Sequence, residues 1–287
     1  NCLEDIVRLF LMFTLIPLFL PKGLEITVTV VILSNVISEL VSILVLFFFL
    51  PKNITYKKED FHIRKSYIKD ALDISIPTTL SRLIGSIGYF LEPIILTTTL
   101  KYSGYTSSFI INQYGIIQGY VMPLVLLPSF FTFAISQALL PVIAKAISDK
   151  KLDYTKKKIK QAILFSLLIG IPATILFIIM PKFFLGIMYH TNQGSTYLKI
   201  LAPICLFQYI QAPLAFSLDA MGRSKDNLKA TMLGTIIRTT TLFLFSLLRI
   251  GLYGYIISTS IHVIFVTTYN YYQVRKYLAN FTTFSQK

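Results

Sequence analysis

Cysteine and histidine are scarce in this sequence of 287 residues, which contains only 2 Cys and 3 His. Cys2 and Cys205 lie within apolar runs and form no CxxC spacing, so no disulfide framework is indicated. The histidines are scattered at His62, His190 and His262, a distribution that does not favour a metal site. We therefore predict neither a metal nor another cofactor.

Acidic residues are also few, with 13 Asp and Glu against 27 Lys and Arg. No Ser/His/Asp arrangement, paired-carboxylate motif or glycine-rich phosphate loop stands out, and no segment resembles a soluble domain. The sequence therefore does not support an enzyme active site of the soluble type, and we predict that the protein is not an enzyme.

Long apolar runs dominate what is present, since 54% of the residues are hydrophobic and only 14% are charged. Crossing about 30 Å of hydrocarbon takes roughly 20 helical residues. By this rule we predict an all-α, polytopic transmembrane bundle of about eight spans. They lie near 3–20, 26–50, 71–99, 110–143, 159–180, 197–220, 227–248 and 251–274.

The basic residues are clustered between these spans. Of the 27 Lys and Arg, 19 lie in segments 51–69, 145–160, 221–229 and 275–287, which alternate with loops that hold almost none. This alternation follows the positive-inside rule, so it does not require a nucleic-acid partner. We expect a multi-pass protein of the cytoplasmic membrane, with the basic segments and both ends of the chain cytoplasmic.

The fourth span is too long for one straight helix. Tyr102 to Ala144 holds no charge and would be roughly 63 Å long. We expect one crossing, preceded by an interfacial or re-entrant piece that contains Asn112, Gln113 and Gln118. Places for the helix to bend are supplied by Pro123, Pro128 and Pro141.

The stretch Ile76–Pro93 is apolar enough to enter a bilayer, yet one of its helical faces is polar. Such a face, built from small, hydroxyl and charged residues, is typical of a helix that lines a polar path. It consists of Thr78, Ser81, Arg82, Gly85, Gly88, Tyr89 and Glu92.

Arg82 lies roughly 13 Å into the predicted span, where an arginine costs about 2.5–3.5 kcal/mol on insertion scales. It could face a hydrated cavity and attract a phosphate, or pair with a carboxylate on a neighbouring span; the sequence leaves both open. Arg238 repeats the pattern, with Thr231 and Thr235 on its face. We predict that the two arginines share a polar cavity.

Two glutamates within the predicted spans also bear on the predicted cavity. Glu39 has only serines as close polar neighbours, so it either pairs with an arginine or lines the cavity. Glu92 lies roughly 15 Å along the helix from Arg82 and cannot be its direct partner. We expect Glu92 at the outer rim, where it could also serve as a coupling residue.

Six blocks of the sequence carry a family resemblance: Ile76–Pro93, Tyr114–Phe131, Ala138–Pro141, Glu4–Arg8, Ser38–Leu40 and Ala220–Lys225. They resemble the stage V sporulation protein B branch of the polysaccharide flippases, in the multidrug/oligosaccharidyl-lipid/polysaccharide (MOP, MATE-like) exporter superfamily. The resemblance covers most of the chain, and the two blocks in its middle are the most specific.

Members of this superfamily have two six-helix lobes around a central cavity. The resemblance implies that residues 1–50 are the last two spans of the N-lobe and that 51–69 is a cytoplasmic interlobe linker. Residues 70–278 would form a C-lobe of six spans, and 279–287 a cytoplasmic tail. The chain would then be a C-terminal fragment of a longer protein.

The resemblance also implies a function: flipping a lipid-linked saccharide across the cytoplasmic membrane by alternating access. Its partners would be this anionic amphiphile and the membrane lipids. A cation-coupled multidrug exporter of the same superfamily is the alternative; a membrane-embedded glycosyltransferase or polymerase is less favoured, because the predicted outer loops are short. The expected substrate-binding residues are Arg82, Arg238, Ser81, Thr78, Thr231, Thr235 and Glu39.

Overall fold

The computed structural model describes residues 2–49 and 65–284, which fold almost entirely into α-helices. The chain divides into two compact units, Asn1–Ile63 and Arg64–Lys287. This boundary lies within 51–69, the range predicted as a linker. Residues 51–64 of that range and residues 285–287 of the predicted tail lie outside the described residues. The assignment of the two units to two lobes stays a prediction.

The first unit is a helical hairpin. Helix α1 (Cys2–Phe19) packs against α2 (Leu24–Phe49), and a single 3₁₀ turn, Leu20–Lys22, joins them. The turn closes at Gly23, whose φ of 122° is a conformation that glycine adopts without steric cost.

The second unit contains the remaining nine α-helices of the described residues. They are α3 (Lys65–Tyr102), α4 (Ser107–Ile116), α5 (Met122–Leu126), α6 (Ser129–Ser148), α7 (Leu152–Ile179), α8 (Pro181–Tyr189), α9 (Ser195–Ala220), α10 (Ser224–Leu247) and α11 (Tyr253–Phe284). The last helix runs ten residues beyond the predicted end of its span at 274 and includes most of the predicted tail.

Contacts between residues that are far apart in the sequence define the two ends of this unit. At one end, which we call the basic end, Lys225 at the start of α10 pairs with Asp73 near the start of α3 at 3.5 Å. The apolar core there joins the end of α6, the start of α7, the end of α9 and the second half of α11. At the opposite end the Tyr105 hydroxyl donates to the Arg249 carbonyl at 2.6 Å. The basic segments at 145–160 and 221–229 therefore lie at the same end, as their alternation predicted.

Residues 107–148 connect the two ends. Helices α4 and α5 pack into the larger apolar core toward the opposite end, whereas α6 reaches the core of the basic end through Ile143. The two parts meet at a turn over Leu127 and Pro128. The segment thus makes one net passage between the two ends, with Asn112, Gln113 and Gln118 in its first part. The interfacial or re-entrant position of that part stays a prediction.

Seven of the described helices are long and apolar enough to cross a membrane, against eight predicted spans. The difference has two sources. Both parts of the fourth predicted span qualify separately, as Ser107–Leu126 and Ser129–Ser148. The first and last predicted spans form α1 and α11, which are not among the seven. Helix α1 contains three charged residues, Glu4, Asp5 and Arg8, and the many polar residues of α11 lower its hydropathy.

The outer surface of the second unit is apolar. On α7, for example, Leu164, Phe165 and Leu168 are all more than half exposed. Helices satisfy their own backbone hydrogen bonds, so such a bundle can present apolar side chains to lipid. With seven qualifying helices, the protein is a multi-pass membrane protein.

Candidate functional site

Helices α3 and α10 run side by side in the same direction, and their small-residue faces pack against each other. The Ser81 hydroxyl donates to the Thr231 hydroxyl at 2.8 Å. Two turns further along, a Cβ atom added to Gly88 would lie 2.6 Å from Thr235 Cγ2, so this close approach requires glycine. The predicted polar stripes therefore serve first as a helix–helix interface, which small residues permit in membrane proteins.

Further along the same interface, Glu92 of α3 forms an ion pair with Arg238 of α10. The two residues are only 3% and 8% exposed, and the guanidinium lies 4.9 Å from the centre of the Tyr89 ring. Glu92 therefore lies in the interior rather than at an exposed rim. Because each charge is compensated by the other, Arg238 is not a free cation.

The second carboxylate oxygen of Glu92 accepts two further hydrogen bonds. The Tyr114 hydroxyl donates at 2.9 Å and the Gln118 amide at 3.0 Å. The same amide lies 3.1 Å from the hydroxyl of Tyr255, a fully buried residue of α11. The ion pair is thus the centre of a polar cluster, which we call the Glu92 cluster: Tyr89, Glu92, Tyr114, Gln118, Arg238 and Tyr255.

Gln118 reaches this cluster from a π-helical turn, Ile117–Val121, between α4 and α5. Such turns carry an extra residue per turn and often occur at functional sites. Sequence reasoning did not connect Tyr114, Gln118 or Tyr255 with Glu92. A usable signal was present, because Tyr114 and Gln118 are four residues apart and so share a helix face.

A cavity of about 260 Å³ lies beside the cluster, between α3, α5, α9, α10 and α11. Arg238 Nε and Gln211 Oε1 are buried there without a hydrogen-bond partner among the described protein atoms. At about 30 Å³ per water the cavity would hold roughly eight waters. Besides Tyr89 and Arg238 of the cluster, the polar residues that line it are Gln208, Gln211, Thr231, Thr235, Thr259 and His262.

Arg82 lies elsewhere. It is exposed, does not line this cavity, and is roughly 15 Å from Glu92 along α3. In the part of the chain that the structure describes, no carboxylate is within ion-pair distance of it. The charge of Arg82 acts on Asp219 at the end of α9 without forming an ion pair, and Asn227 donates to both oxygens of that carboxylate at 3.5 Å.

The predicted site residues thus separate into groups. Arg82, with half-buried Thr78 and Ser81, lies toward the basic end, whereas Arg238 and Glu92 form a neutral pair in the interior. Thr231 and Thr235 contribute to both the α3–α10 interface and the cavity. Glu39 is exposed on α2 in the first unit.

Two sequence families match this chain. The family described as Polysaccharide biosynthesis protein matches residues 1–147, and the family MatE matches residues 93–244. Stage V sporulation protein B of Bacillus subtilis (strain 168) is 31% identical over 246 residues, which are 84% of this chain and 48% of that protein. Sporulation protein YkvU of the same organism is 24% identical over 282 residues, covering 97% of this chain and 63% of that protein.

The fold is also that of solved transporters. MATE in the bent conformation superimposes with a TM-score of 0.74 at 17% identity, covering 99% of this chain and 63% of that one. An outward-facing multidrug resistance MATE family transporter of the MOP superfamily gives 0.71 at 16% identity, covering 97% and 62%. The chain spans about half the length of Stage V sporulation protein B. It belongs to the polysaccharide biosynthesis protein and MatE families.

Proposed function

We propose that this protein is a flippase that moves a lipid-linked, pyrophosphate-bearing saccharide across the bacterial cytoplasmic membrane by alternating access. The basic end of the second unit would face the cytoplasm, in accordance with the positive-inside rule. Membership of the polysaccharide biosynthesis protein family and the similarity to Stage V sporulation protein B support this choice within the superfamily.

The observation that carries the proposal is the state of Arg82. An arginine within an apolar helix is costly unless an anion or water compensates it. Here the guanidinium is exposed and has no ion-pair partner among the described carboxylates. A guanidinium in this state suits a diphosphate, which it can bind through two parallel hydrogen bonds.

Arg238 takes a different role in this proposal. Because Glu92 already neutralises it, it would not bind the headgroup but would hold α3 and α10 together. Thr78 and Ser81, which lie within one turn of Arg82, are the hydroxyl residues placed to accompany a bound phosphate. Glu39 stays a predicted lining residue of the first unit.

The test is translocation of a fluorescent lipid-linked pyrophosphate saccharide by the purified protein in proteoliposomes. Arg82→Ala should lower the initial rate at least about tenfold, because a charge-assisted hydrogen bond contributes roughly 1.5–3 kcal/mol. Arg82→Lys should retain part of the rate. Lys101→Ala, an exposed position near the far end of the same helix, is the matched control and should stay within about twofold. An unchanged rate in Arg82→Ala would refute the assignment.

A multidrug exporter is the second candidate, favoured by the MatE match over residues 93–244. Such an exporter would need an acidic residue for cation coupling. Glu92 is occupied by Arg238, which leaves Glu39 and Asp219 as the carboxylates to test. Dye efflux driven by a sodium or proton gradient, without movement of the lipid-linked saccharide, would favour the exporter.

A further inference from the structure

A groove of about 760 Å³ lies at the basic end of the second unit, well away from the Glu92 cluster. It forms because α7 and α11 both pack along α9 but make little contact with each other. Their separation leaves a furrow whose floor is α9. Its main lining residues are Lys156, Ile159, Lys160, Leu214, Val274 and Arg275.

The floor of the groove is apolar. Leu214 is fully buried, and Ile159 and Val274 are almost fully buried in the apolar core of the basic end. Ile163, one turn further along α7, continues this surface toward the middle of the helix. A surface of this composition binds a hydrocarbon chain in preference to a polar molecule.

The mouth of the groove is positively charged. Lys156 and Lys160 are one turn apart on α7, and Arg275 faces them from α11. No acidic residue lines the groove, and none of the three cations has an ion-pair partner among the carboxylates that the structure describes. Three like charges around one opening repel each other, and an anion between them would relieve that repulsion.

The position of the groove fits a membrane occupant. It begins within the first turns of a helix that qualifies as a membrane span, Leu152–Ile179. Beyond Ile163 the neighbouring surface of α7 stays apolar and exposed through Leu164, Phe165 and Leu168. Tyr271, exposed on α11, lines the groove, and tyrosine is enriched where membrane and water meet.

We propose that this groove binds an anionic phospholipid of the leaflet at the basic end. The phosphate would lie between Lys156, Lys160 and Arg275, and an acyl chain would follow the half-buried Ile163 and Leu278. The charge pattern disfavours a second copy of the same surface, which would place like charges against each other. A free phosphate would make no favourable contact with the apolar floor. The charged mouth and the apolar floor together therefore favour an amphiphile.

The first experiment compares phosphatidylglycerol with phosphatidylcholine of the same acyl chains, bound to the detergent-solubilised protein and counted by native mass spectrometry. The protein should bind phosphatidylglycerol at least about fivefold more tightly, since each basic residue near a lipid surface contributes about that factor. The triple variant Lys156→Gln, Lys160→Gln, Arg275→Gln should lose the preference.

The matched control is a second triple variant that removes three positive charges from the basic end. Lys150, Lys157 and Lys276 are exposed and do not line the groove, so their triple change to Gln should leave the preference intact. Equal binding of the two lipids by the unaltered protein, or an equal loss in both triple variants, would overturn the proposal. Competition by glycerol phosphate as strong as that by the lipid would overturn it too.

A second measurement does not depend on any variant. Phosphatidylglycerol with a photoreactive diazirine in its acyl chain should label peptides that contain Ile163 of α7 and Val274 of α11. Labelling confined to other surfaces would refute the groove as the site. Neither experiment uses the transport substrate, so its result is independent of the proposed flippase activity.

Discussion

Glu92 and Arg238 compensate each other across two parallel helices, and this pair fixes how α3 and α10 meet in the interior. Breaking a buried pair by removing one partner leaves an uncompensated charge, which costs about 3–5 kcal/mol. We therefore expect Glu92→Gln and Arg238→Gln each to lower the thermal stability of the detergent-solubilised protein strongly.

The double variant Glu92→Gln, Arg238→Gln should be more stable than the sum of the two single effects predicts, because neither charge is then left alone. The exposed pair of Lys225 and Asp73 is the control, and Asp73→Asn should cost at most about 1 kcal/mol. Additive effects in the Glu92 and Arg238 variants would show that the pair is not energetically coupled.

A second prediction concerns the close approach of the same two helices. In Gly88→Ala the new methyl group would lie 2.6 Å from Thr235 Cγ2, an overlap that should cost about 1–3 kcal/mol. Adding Thr235→Ser removes that methyl and should restore most of the melting temperature. Gly85→Ala, on the same helix with open space around its Cβ, should change little. Equal losses in Gly85→Ala and Gly88→Ala would contradict the tight contact.

Gln118 supplies a third prediction. Its amide donates to Glu92 and lies within hydrogen-bond distance of Tyr114 and Tyr255, so Gln118→Leu removes contacts to two buried groups and to half-buried Tyr114. We expect a loss of about 1–3 kcal/mol, the cost of leaving a buried polar group unsatisfied. Asn112→Leu, an exposed change on α4, is the control; thermal unfolding of both variants gives the comparison.

The sequence predicted the helical membrane fold because apolar runs and basic loops are features of the local sequence, which do not depend on how the helices pack. It predicted the helices that carry Arg82, Arg238 and Glu92, but it expected Glu92 at the outer rim and Arg82 in one cavity with Arg238, and the structure shows neither. It did not predict that Arg238 pairs with Glu92, because that contact depends on the register between two helices far apart in the chain. A helical wheel shows that Ser81 lies on a polar face of α3 and that Thr231 lies on a polar face of α10. It does not show that these two faces pack against each other.

The same limit applies to Gln118. Its place on a helix was predictable, but a π-helical turn adds a residue and so changes which side chains face the interior. The span count differed because the turn at Leu127 and Pro128 divides one long apolar segment into two helices, which adds one, while α1 and α11 do not qualify, which removes two.

The fourth prediction rests on the proposed flippase activity and concerns Asp219. The charge of Arg82 acts on this carboxylate without forming an ion pair, so Asp219 would compete with an anionic substrate for the guanidinium. Asp219→Asn keeps the shape of the side chain but removes its charge, and we expect the apparent KM for a lipid-linked pyrophosphate to fall about three- to tenfold, as loss of one nearby charge allows. The rate of a substrate without phosphate should not change. Asp219 is half-buried, so salt screens its repulsion of the substrate only in part, and the difference between Asp219→Asn and the unaltered protein should shrink modestly as ionic strength rises. A higher KM in Asp219→Asn would mean that Asp219 holds Arg82 in its binding orientation instead of competing for it.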